Sequence, residues 1–111
     1  MGRRFGASGM NVLHFLSAPA TSPSAEAFWS ETSAALASSQ DVSVYFFHEG
    51  ATALQDPRLA GLIQKGARLF CCPRAAESFA GSFANQATLG GPGLLAELIE
   101  RSSAFRSFNV T

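Results

Sequence analysis

Short apolar runs alternate with helix-length stretches along almost the whole chain, and this alternation constrains the fold more than any other feature. The runs fall at residues 11–17 (NVLHFLS), 41–47 (DVSVYFF), 68–72 (RLFCC) and 105–110 (FRSFNV). The second is the clearest strand, rich in β-branched and aromatic residues. Between the runs the period changes to that of a helix. Phe28, Trp29, Thr32, Ala35 and Leu36 line one face of a stretch that Ser22 caps and Pro23 opens, with Glu26 and Glu31 off that face. At this spacing Trp29 is a core residue rather than a ligand-stacking one. Asp56 and Pro57 open a second helix, with Leu59, Leu62 and Ile63 as its buried stripe and Gly66 as its stop. A short third helix is predicted from Pro73 to Phe79. Leu94, Leu95, Leu98 and Ile99 form the apolar face of a fourth, on which Glu97 can pair with Arg101 one turn on. Residues 81–89 carry no clear period, although 87–89 suit a very short strand. Strands joined through helices run parallel, so the pattern calls for a parallel sheet with helices on both faces.

The chain has 111 residues, enough for one domain with one core. Charged residues make up 14% of it, against about 25% in an ordinary soluble domain, while apolar residues reach 47%. So few charges leave apolar surface uncovered, and association with other subunits is expected. Eight basic residues offset eight acidic ones with no basic stripe, which argues against a nucleic-acid partner. No apolar run approaches the ~20 residues of a membrane span. Residues 1–9 are glycine-rich and read as a loose leader before a domain over 10–111, with Met10 a plausible alternative start. Arg3-Arg4 and Ala18-Pro19-Ala20 faintly imitate a secretory signal, but cleavage there would remove the first strand.

Both cysteines, Cys71 and Cys72, sit side by side at the end of the third strand, and Pro73 follows at once. Neighbouring cysteines do not build a disulfide framework, and free thiols beside a strand–helix pattern point to a reducing, cytoplasmic compartment. Cys72 falls between a strand's C-terminal end and a helix's N-terminal end, where open α/β sheets place ligands and where a thiolate is favoured. Cys71 points to the opposite face and reads as core. His48 and Glu49 end the second strand at the same sheet edge, so a Cys–His pair is geometrically open there. His48, Glu49 and Cys72 show no metal-ligand spacing, and no metal or organic cofactor is expected. His14, flanked by Leu13 and Phe15, reads as a hydrogen-bonded core residue. Residues 90–93 (GGPG) before a helix could cradle a phosphate, but they lack the spacing and lysine of a phosphate-binding loop.

The order of these motifs resembles the DsrE/DsrF/TusD-like sulfur-relay family from Met10 onward. The resemblance rests on Phe46-Phe47-His48-Glu49-Gly50, on the six-residue step from Gly66 to Cys72, on Ala75-Ala76, and on the closing stretch GGPGLLAELIERSSAFRSF. Glutamate stands where aspartate is usual in that family. The Arg-Arg-Gly that often follows the alanines is replaced by Glu77-Ser78-Phe79-Ala80-Gly81, leaving Arg74 as the cation close by. The resemblance implies a three-layer α/β/α sandwich on a mostly parallel five-stranded sheet of order 4-3-2-1-5. It implies a trimer or hexamer, homo- or hetero-oligomeric. It also implies a sulfur carrier or sulfurtransferase, with Cys72 passing sulfane sulfur as a persulfide between donor and acceptor proteins, and Arg74, His48, Glu49 and Cys71 in support. The alternatives are a non-catalytic interaction subunit of the same fold and a small nucleotide- or anion-binding module using residues 90–93.

Overall fold

A computed structural model describes residues 10–110, so the expected leader over residues 1–9 lies outside the described residues. Five strands and four helices alternate: β1 (Asn11–Leu16), α1 (Pro23–Ala37), β2 (Asp41–Phe46), α2 (Leu59–Gln64), β3 (Arg68–Cys71), α3 (Pro73–Phe79), β4 (Thr88–Leu89), α4 (Pro92–Arg101) and β5 (Ala104–Phe108). Two 3-10 helices, His48–Gln55 and Gly81–Gln86, fill stretches where the sequence shows no strong period. All strand pairs are parallel, in the order β4-β3-β2-β1-β5. The three-layer α/β/α architecture follows from that order. Moving from β1 to β4, each right-handed crossover lands its helix on one face, and the return to β5 puts α4 on the other.

Side-chain parity separates the two faces. On β2, Val42, Val44 and Phe46 join the main core with Leu16, Leu69, Cys71 and Phe108, packed under Phe28 and Trp29 of α1, Leu59 and Leu62 of α2, and Ala75 and Ala76 of α3. Burial of several large apolar side chains at about 1.5–3 kcal/mol each is the main force holding this layer. Ser22 caps α1 through Oγ, which accepts from the Ala25 N–H at 3.2 Å, with Pro23 in the first turn. Trp29 is buried, as its spacing requires, and its Nε1–H donates to the Ala20 carbonyl at 3.1 Å. The Arg58 guanidinium lies 4.6 Å from the Trp29 ring centroid and also binds Asp56 and Glu26, tying α1 to the start of α2.

The other face is thinly covered. Phe15 stacks on Tyr45 and Phe47 and tilts against Phe105, forming an aromatic row across β5, β1 and β2. Among the described helices, only α4 lies on this face of the sheet. No residue of α4 is fully buried, and Ile99, expected in its buried stripe, is 43% exposed. Among the described residues no second helix lies beside this ten-residue one to close over its flank. Ile63 is likewise 42% exposed. Asp56 accepts from the Arg58 N–H at 2.9 Å as a turn, so α2 begins only at Leu59, and its short core stripe is Leu59 and Leu62.

Candidate functional site

Cys72 stands one residue past the end of β3 in extended conformation, as the N-cap of α3. Its N–H donates to the Phe46 carbonyl at 3.1 Å, and its own carbonyl accepts from the Ala76 N–H at 2.9 Å. The backbone of Cys72 is therefore held by both β2 and α3. Its thiol does not cap the helix, since no first-turn N–H donates to a Cys72 side-chain atom. The thiol instead lines a cavity of about 250 Å³ with Phe47, His48, Arg74, Ala75, Ser78 and Phe79.

His48 enters this cavity through a local backbone device. The chain turns out of β2 with His48 at φ 53°, a left-handed conformation uncommon outside glycine. The Phe47 N–H still donates to the Leu16 carbonyl at 2.9 Å, and the Gly50 N–H donates back to the Phe47 carbonyl at 2.9 Å. Gly50 is required here because a Cβ would run into the Leu16 carbonyl. The imidazole ends up tilted against Phe79, centroids 5.5 Å apart, and against Phe47 at 6.3 Å.

Glu49 faces elsewhere. It lines a second, more open cavity of about 550 Å³ with Phe15, Ser17, Phe47, His48, Asn109 and Val110. Phe47 and His48 are common to both cavities. Cys71 is fully buried in the core, its thiol donating weakly to the Cys72 carbonyl at 3.4 Å. Burial, and then the neighbouring Cys72, push the Cys71 thiol up to about 12, so it stays protonated at neutral pH. Tyr45 is held in the same way. Burial and the two cysteines push its phenol up to about 12, and its O–H donates to the Gly90 carbonyl at 2.6 Å.

Of the five residues singled out in the sequence, the structure brings Cys72, His48 and Arg74 to one cavity, sets Glu49 in the adjoining one and puts Cys71 behind the sheet. Among the described residues Arg74 makes no ion pair, and no three His, Cys, Asp or Glu side chains gather to hold a metal. The walls Ser78 and Phe79 have no sequence signal of their own, because their roles depend on α3 folding back against the 3-10 helix after β2. Gly90 serves packing: a Cβ there would run into Leu94, and its N–H donates to the Cys71 carbonyl at 3.0 Å.

Fold and site together define a small parallel α/β protein that opens one thiol at the C-terminal edge of its sheet. No protein-family model matches the sequence, and no curated protein matches it. Solved structures do match in three dimensions. The crystal structure of the ychN protein from E. coli superimposes with a TM-score of 0.66 at 16% identity, covering 89% of this chain and 99% of that one. The structure of BT1422, a conserved protein of unknown function from Bacteroides thetaiotaomicron, gives 0.64 at 17% identity, covering 87% and 94%. These likenesses speak for a DsrE-like fold. No helix among the described residues is long and apolar enough to cross a membrane.

Proposed function

We propose that the protein is a cytoplasmic sulfur carrier in which Cys72 holds sulfane sulfur as a persulfide. The observation that carries this reading is the split between the two thiols: Cys72 opens into a cavity with His48 and Arg74, while Cys71 is sealed in the core. In the loading step the Cys72 thiolate attacks the outer sulfur of a donor persulfide. A new S–S bond forms at Cys72, the donor's S–S bond breaks, and its electron pair leaves with the donor thiolate. An acceptor thiolate reverses the exchange, with no net oxidation and no cofactor required. Arg74 supplies positive charge to the cavity that Cys72 lines, and the His48 imidazole lines the same cavity. Donor and acceptor are proteins that present their own thiols, and the carrier works as a trimer or hexamer.

Intact-mass measurement after treatment with a persulfide donor tests this reading. Wild type and Cys71→Ala gain one sulfur atom, and Cys72→Ser gains none. Equal loading of the two variants, or no loading of wild type, would sink it. A second reading, a non-catalytic interaction subunit, is favoured by the thinly covered aromatic face, on which Phe105 is 48% exposed. Absence of loading together with a stable oligomer would select it.

A further inference from the structure

The N-terminal edge of the sheet, opposite the Cys72 edge, holds a cavity of about 360 Å³ under the last turn of α4. Its floor is a row across three strands, since Leu13 of β1 is the register partner of Ser43 of β2, which is in turn the partner of Arg68 of β3. Phe70, two residues beyond Arg68 on the same face, and Leu98 of α4 form apolar walls. Arg101, one turn past Leu98, completes the rim. Asn11 Nδ2 donates to the Arg101 carbonyl at 3.2 Å and fixes the end of α4 over the start of β1.

Ser43 is the odd member of this floor. It is only 6% exposed, and among the described residues its hydroxyl has no hydrogen-bond partner. A buried hydroxyl left unbonded costs free energy, so it calls for a partner that enters the cavity. The two guanidinium groups at the rim are free to join. Arg68 meets Asp41 only at 3.7 Å and Arg101 meets Glu97 at 3.3 Å, all four side chains being largely exposed. Exposed pairs of this kind contribute little, so an incoming anion displaces them readily. Two guanidinium groups above an apolar pocket with one hydroxyl at its base form a donor set for an oxyanion carried on an apolar body.

We propose that this cavity binds a small amphipathic oxyanion, a carboxylate or phosphate monoester whose apolar body rests on Leu13, Phe70 and Leu98. Arg68 and Arg101 take the charged group, and Ser43 donates to one of the ligand's oxygens. The site uses none of the residues of the Cys72 cavity, so it stands or falls apart from the sulfur-carrier reading.

Backbone amide shifts during NMR titration of the whole protein test it, with benzoate, phenyl phosphate and inorganic phosphate as probes. Benzoate or phenyl phosphate is expected to move the amides of Leu13, Ser43, Arg68 and Phe70 saturably, and the tighter of the two names the head group. Arg101→Ala and Ser43→Ala should each weaken that probe by about tenfold, a hydrogen bond to a charged group being the interaction lost. Ser43→Ala should remain as stable as wild type or more so, which separates lost binding from lost folding. Unmoved amides at millimolar probe would mean a cavity that holds only water, and the proposal would be wrong. Equal affinity for inorganic phosphate, or unchanged affinity in Ser43→Ala, would overturn it as well.

Discussion

His14 Nδ1 lies 2.7 Å from the Thr32 Oγ1, a buried hydrogen bond that joins the interior strand β1 to α1. The imidazole also packs edge-on against Phe108 of β5, centroids 5.4 Å apart. Burial holds its pKa below the usual histidine value, and Arg106 adds to that, while Glu31 opposes it. In the unfolded chain His14 takes up a proton near pH 6.5, whereas in the folded protein it does so only at lower pH. Between those limits the unfolded state binds more protons, so stability falls as pH drops below about 6.5 and is fully present above it. Melting temperature should therefore decline from pH 7 to pH 5, and His14→Gln should flatten that slope. An unchanged slope would assign the decline to other groups. Thr32→Val leaves the ring nitrogen unpaired and should cost about 1–3 kcal/mol in urea unfolding.

Native protein treated with iodoacetamide at neutral pH should be alkylated at Cys72 and spared at Cys71. Cys71 is fully buried and its thiol is pushed up to about 12, so neither access nor thiolate is available. Peptide mapping reads the ratio, and in denaturant both cysteines should label alike. Earlier labelling of Cys71 in the native protein would contradict the placement of the two thiols.

Gly50→Ala should be among the most damaging small substitutions in the chain. Its added methyl meets the Leu16 carbonyl, a backbone group that cannot rotate away. A loss of about 1–3 kcal/mol is expected from such overpacking, read as a lower urea midpoint with unchanged slope. Because Gly50 anchors the turn that carries His48, the Cys72 cavity should change shape with it, visible as altered His48 NMR shifts.

Light scattering at micromolar concentration should return a trimer or hexamer. Phe47, Ile99 and Phe105 are 42%, 43% and 48% exposed on the side of the sheet that α4 covers alone. Phe105→Glu should dissociate the assembly while circular dichroism stays unchanged, since Phe105 contributes little to the core of its own chain. A monomeric wild type would remove this expectation.

The parallel α/β class, three of the four helix starts and the separation of Cys71 from Cys72 were legible in the sequence. Each is decided locally: Pro23, Pro73 and Pro92 open helices because the ring presets the backbone, and strand parity sends adjacent residues to opposite faces. Even the buried bond of His14 could be expected from its apolar neighbours. What tertiary structure alone decided are the relations between distant segments. The period of α4 predicts a buried face, yet only the crossover order shows that this helix stands by itself on its layer and leaves Ile99 exposed. The left-handed turn at His48 has no residue signature, since it is imposed by the close approach of Gly50 to β1. Glu49 adjoins His48 in sequence but does not line the Cys72 cavity. Ser43, unremarkable within a strand, became notable only when register set it between Leu13 and Arg68 beneath α4. Local propensity and parity act within a few residues, whereas cavities are bounded by segments tens of residues apart, and only packing of the complete chain brings those together.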